Sequence, residues 1–90
     1  MRKITREAVD HFNNGTSYRN GNTTVAKGIY MLHGNIIAEK WEGDIYISLA
    51  GWNTNTTRER LNGLDGVQVR TKQGQAYLNG EKWDGERIKI

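Results

Sequence analysis

No cysteine and no proline occur in these 90 residues, and no apolar run approaches the roughly 18 residues of a membrane span. The missing cysteine excludes disulfides, thiolate zinc sites and thiol nucleophiles, and it fits a reducing cytoplasm. The missing proline suggests no function. The first residues, Met1-Arg2-Lys3-Ile4-Thr5-Arg6-Glu7, are charged and lead into no apolar stretch of signal-peptide length, so neither export by that route nor a membrane location is expected. The sequons Asn14-Gly15-Thr16, Asn22-Thr23-Thr24 and Asn55-Thr56-Thr57 are then turn and cap chemistry.

Charge of one sign is also scarce. Thirteen Lys and Arg against ten Asp and Glu leave +3, spread along the chain, which is a mild bias toward anionic partners and far short of a basic arm. At this length there is room for one domain, residues 1–90, with roughly 60–65 % of the unfolded surface buried. A large enclosed active site is not expected in it. Hydrophobic residues are nevertheless 36 % of the chain, and their periodic segments argue for a folded domain.

Ile4, Ala8 and Phe12 recur at helical spacing, with Thr5 as a cap and Ile4 and Val9 as a hydrophobic staple, which predicts a helix from Thr5 to Asn13. Asn14-Gly15 ends it, and the stretch to Asn22 reads as a mobile loop. Period-two patterns then predict strands over Thr24–Leu32, Ile36–Trp41 and Asp44–Leu49, joined by turns at His33-Gly34 and Glu42-Gly43. Ile45, Ile47 and Leu49 alternate with Tyr46 and Ser48 so cleanly that this strand is expected at the centre of the sheet. Thr56 with Glu59 reads as a capping box before a short helix ending at Asn62-Gly63. Val67, Val69 and Thr71, then Gln75–Leu78, then Asn79-Gly80 predict further hairpin strands with Trp83 on the last, and Asp84–Ile90 frays or adds an edge strand. The fold class is α+β: an antiparallel sheet of about five or six strands, a meander plus a hairpin, packed with an N-terminal helix and a short central helix. The edges of such a sheet would allow a homodimer.

The densest polar segment runs from Gly51 to Asn62, and its candidate binding residues are Trp52, Asn55, Thr56, Thr57, Arg58 and Arg60. Backbone N–H groups at a helix start, Thr hydroxyls and arginine forks suit a phosphate, and Trp52 suits a base. The purely structural reading of the same residues has Thr56 capping, Leu61 and Trp52 in the core, and both arginines solvated. His11 and His33 have no partner at metal-motif spacing, and Asp10-His11 point about 100° apart on a helix with no nucleophile to partner them. No metal, no cofactor and no catalysis are therefore expected. Tyr30, Tyr46 and Tyr77 each lie in a predicted strand and, on one shared face near Lys27, Arg70 or Lys72, would form a stacking platform for unpaired bases.

Three segments, Tyr30-Met31-Leu32-His33-Gly34-Asn35-Ile36-Ile37-Ala38, then Gly51-Trp52 with Asn55-Thr56-Thr57-Arg58-Glu59-Arg60-Leu61-Asn62-Gly63-Leu64, then Tyr77-Leu78-Asn79-Gly80-Glu81-Lys82-Trp83-Asp84-Gly85, together resemble a family of small tailed-bacteriophage proteins. The resemblance spans about Gly21 to Gly85 and assigns no catalytic or binding residue to this chain. It implies a phage or prophage source and the host's bacterial cytoplasm. The leading expectation is a phage accessory protein that binds a host protein, in host takeover or defence evasion, through a sheet face or the Trp52–Arg60 segment. The alternative is binding of a nucleotide or single-stranded nucleic acid at residues 51–62.

Overall fold

The computed structural model describes residues 1–90. Helix α1 (Lys3–Asn14) is followed by β1 (Tyr18–Asn20), β2 (Thr23–Ala26), β3 (Ile29–Leu32), β4 (Asn35–Trp41) and β5 (Asp44–Ile47). Helix α2 (Asn55–Leu61) then leads to β6 (Val69–Lys72), β7 (Gln75–Leu78), β8 (Glu81–Lys82) and β9 (Ile88–Lys89). The class is α+β, as expected, but there are two antiparallel sheets: six strands in the order β1-β2-β3-β4-β5-β9, and three in the order β6-β7-β8. No helix is long and apolar enough to cross a membrane.

Helix α1 starts earlier than its pattern suggested. Arg2 is the N-cap and makes no side-chain cap bond, while Thr5 lies inside the helix and is fully buried with Ala8, Val9 and Phe12. That i, i+3, i+4, i+7 stripe, not Ile4, faces the sheet. Gly15 ends the helix in the left-handed conformation (φ 70°).

The expected mobile loop contains β1. Tyr18 stacks on His11 of α1 with ring centroids 5.1 Å apart, and Tyr18–Asn20 pairs with Thr23–Val25 as the edge strand. The single strand expected over Thr24–Leu32 is a hairpin. Lys27 (φ 52°) and Gly28 (φ 75°) turn the chain in two residues, a geometry that matches strand twist and tolerates glycine best at its second position.

Strand β5 is next to the edge, not central, because Asp84–Ile90 returns to lay β9 against it. Leu49 falls beyond β5 and its N–H bonds Gly85 O at 2.9 Å, which ties the end of β5 to the connection between β8 and β9. Trp83 follows β8 and is buried. One cluster of 16 buried apolar residues draws on both helices and both sheets.

Tyr30 fixes which face of the large sheet is inside. Its ring lies 5.9 Å from Phe12 of α1, and its hydroxyl donates to Arg60 O of α2 at 3.5 Å. Both helices therefore cover the face of Val25, Tyr30, Ala38 and Ile47, which stand in register. A bulge interrupts that register: Tyr30 pairs with Ala38 and Met31 with Ile36, so Ile37 is the extra residue and both Ile37 and Ala38 are buried.

Candidate binding surfaces

Helix α2 is capped two residues earlier than the sequence suggested. Thr54, in extended backbone, accepts the Thr57 N–H at 3.2 Å and shares a 2.9 Å hydrogen bond with the Thr57 hydroxyl. Thr56 is then inside the first turn, and Glu59 forms no capping box with it. At the other end Asn62 is the C-cap, and its amide accepts from Val69 N (2.6 Å) and donates to Val69 O (3.0 Å), docking α2 on β6.

Glu59 instead crosses to α1. It accepts from the Thr5 hydroxyl, from Arg2 N at 3.3 Å and from Arg60 Nη1 at 2.5 Å. Arg60 is 1 % exposed, and it also donates from Nε to Thr23 Oγ1 (3.1 Å) and from Nη1 to Thr5 Oγ1 (3.0 Å). One guanidinium thus joins α1, α2 and β2, and every buried side-chain polar atom in the chain has a partner. Burial alone would raise the Glu59 carboxyl, but the Thr5, Arg2 and Arg60 hydrogen bonds outweigh it and hold the group below the ordinary carboxylate value. Burial pushes the Tyr30 phenol well above its usual range, an effect that the Arg60 charge offsets only in part.

The six candidate residues therefore separate. Arg60 lies in the interior, not in solvent. Arg58 donates to Asn53 O at 3.1 Å and to the side-chain oxygens of Asn53 and Asn55, forming a closed knot at the surface. Trp52, Thr56 and Thr57 do come together, with Thr57 itself buried, along a groove of about 470 Å³ whose apolar floor includes Leu32, Ile37 and Leu49. Trp52 is not in the core: it is 58 % exposed at the rim. The groove's lining has no Asp, Glu, Lys or Arg, so it lacks the arginine fork expected for a phosphate, and His33 is its one ionisable side chain.

The tyrosine platform does not form. Tyr30 is buried under the helices, Tyr77 is in the other sheet, and Tyr46 alone is on the outer face of the large sheet. The sequence suggests a sheet face as a docking surface but does not say which residues form it; the structure gives the residues of the outer face. Register places Thr24, Met31 and Ile36 in one row, and Ala26, Ile29, Glu39 and Tyr46 in the next. Trp41 follows Glu39 by two residues and so shares the side, whereas Lys40 points inward, its Nζ 5.0 Å from the Phe12 ring. Trp41 is 58 % and Ile36 43 % exposed. Arg87 lies 3.8 Å over the Tyr46 ring and bonds Glu39 at 2.6 Å.

A signal for this face was available. Ile29-Tyr30-Met31-Leu32 and Ile36-Ile37-Ala38 are continuous apolar runs, the pattern of strands with both faces covered. Here the protein covers one face only.

The structure gathers no three His, Asp or Glu side chains that could hold a metal ion. A family model described as Kyanoviridae Gp96 protein matches residues 1–88. No curated protein and no solved structure matches the chain.

Proposed function

The chain belongs to the Kyanoviridae Gp96 protein family, a family of phage proteins, and from that premise we propose that it is an accessory protein that binds a host protein in the host cytoplasm, without catalysis. The observation that supports this is the open outer face of the six-stranded sheet. Ile29, Met31, Ile36, Trp41 and Tyr46 share it, and both helices lie on the opposite side. Contiguous apolar surface rimmed by polar groups marks interaction sites, and Trp, Tyr and Arg, here Trp41, Tyr46 and Arg87, are the residue types enriched in interface hot spots.

The six strands are hydrogen-bonded into one continuous sheet, so a partner meets a preformed surface and little ordering entropy opposes docking. Trp52 and its groove extend the same mode of recognition to an apolar side chain, since the groove has an apolar floor and no carboxylate, lysine or arginine.

The test is affinity capture of host proteins by the tagged chain after nuclease treatment, run in parallel with Ile36→Asp and Trp41→Ala. The expected result is one host protein retained by the native chain and lost from both variants. Capture that disappears with nuclease, or that persists in both variants, overturns the reading.

A further inference from the structure

The three-stranded sheet also has an outer side, and its chemistry is different. Val69, Ala76 and, just after β8, Trp83 are buried. On the opposite side, register sets Arg70 against Tyr77 and Tyr77 against Lys82, so one row across the sheet reads Arg70, Tyr77, Lys82. One step along, Lys72 stands against Gln75 on the same side. Arg70, Lys72 and Lys82 are exposed and Tyr77 is half-buried between its two cationic neighbours.

These cations are free of carboxylates. The ion pairs of the molecule are Arg60–Glu59, Arg87–Glu39 and Lys89–Asp44, none of them on this sheet. Glu81 pairs with Leu78 and so faces the other side. Asp84 shares a shallow groove with Gln75, Lys82 and Trp83, and its carboxylate already accepts the Glu86 N–H at 2.9 Å.

Three unpaired cations around one aromatic ring, on one side of a sheet, match a ligand that carries both repeated negative charge and exposed flat groups. Unpaired bases on a phosphate backbone have both; a duplex keeps its bases stacked away from Tyr77, and an acidic peptide does not present a flat ring at every charge. We infer that the outer face of β6–β8 binds single-stranded nucleic acid, with Tyr77 stacking on a base and Arg70, Lys72 and Lys82 neutralising phosphates. The surface lies on a different sheet from the face assigned to a host protein, and it uses none of the residues of the Gly51–Asn62 segment.

Fluorescence anisotropy of a short labelled oligothymidine titrated with the full chain tests this. Three cations on a single strand contribute about −0.7 each to the slope of log K against log salt, so a slope of roughly −2 is expected. Tyr77→Ala should weaken binding about tenfold while Tyr77→Phe keeps it, and Arg70→Gln with Lys82→Gln should weaken it and flatten the salt slope. Because these side chains are exposed or half-buried, circular dichroism checks that each variant is folded; if Tyr77→Ala is not, the double Gln variant decides. Absence of binding at low salt, equal binding of a duplex or of polyglutamate, or an unchanged affinity in the double variant would each overturn the inference.

Discussion

Tyr30, Ala38 and Ile47 on one face of the six-stranded sheet, and Met31, Ile36 and Tyr46 on the other, come from the same three neighbouring strands, yet only the first set is sealed. The inner face closes because a charge completes it. Arg60 satisfies Thr5, Thr23 and Glu59 at once, so two helices can rest on the sheet with no orphaned polar atom. The outer face has no such keystone and no element to hold. Both faces carry apolar residues, and what separates them is whether the polar groups of a covering layer find partners.

The largest expected effect breaks the sealed side. Arg60→Ala leaves Glu59 with only Thr5 and Arg2 and Thr23 with only Asn22, and it empties the space of a large buried side chain, a combined loss of about 3–5 kcal/mol. Equilibrium urea unfolding should show it as a fall in midpoint at constant slope. Arg60→Met combined with Glu59→Gln, Thr5→Val and Thr23→Val would sharpen the comparison: a much smaller loss from removing the network together would show that the pairing, not the charge, is the source of the effect.

Next comes the residue that the bulge redirects. Ile37 is 2 % exposed, and Ile37→Ala should cost about 2–5 kcal/mol through lost burial and the cavity left behind. Thermal and urea unfolding measure it directly. An effect below about 1 kcal/mol would mean that the groove beside Leu32 and Leu49 absorbs the change, and the inner face would then be less tightly packed than its burial implies.

Acid should loosen the inner face by a smaller amount. The Glu59 carboxyl is held below its ordinary value of 4.5, so its folded form binds a proton less readily than its unfolded form. Its contribution to stability is then present above that ordinary value and is lost as pH falls through the lower folded value. Urea midpoints measured from neutral pH downward should drop in that window, and Glu59→Gln should make the drop shallower. An unchanged profile in Glu59→Gln would assign the acid sensitivity to other carboxylates.

Much of this architecture was legible in the sequence, and the failures have physical causes. The α+β class, the turns at His33-Gly34, Glu42-Gly43 and Asn79-Gly80, and the start of β5 follow from local patterns. Lys27-Gly28 was missed because lysine at the first turn position is a poor hairpin signal, and β1 because a three-residue strand holding Arg19 and Asn20 depends on Tyr18 stacking against His11, a tertiary contact. The Thr54 cap was missed because Thr56 with Glu59 offered a better box, and that box is overruled by the pull of Thr5 and Arg60 on Glu59. Of the candidate site, Trp52, Thr56 and Thr57 meet along one groove. Arg60 was unreadable in principle, since nothing local distinguishes it from Arg58, two residues away and held at the surface by two asparagines.

The smallest stability effect is also the most informative about function. Ile36 and Ile37 are adjacent, chemically identical and on opposite sides of the comparison, because the bulge turns only the second inward. Ile36→Ala and Trp41→Ala should change stability by less than about 0.5 kcal/mol, the usual range for surface positions. If the outer face is the docking surface, the same variants should lose most of their host-protein capture, as truncated hot-spot residues do at about 2 kcal/mol or more of binding free energy each. Stability lost at Ile36 on the scale expected for Ile37 would mean that the outer face is packed by the protein itself, and the distinction between a sealed and an open face would collapse. Stability retained with capture intact would leave the distinction standing and move the partner elsewhere.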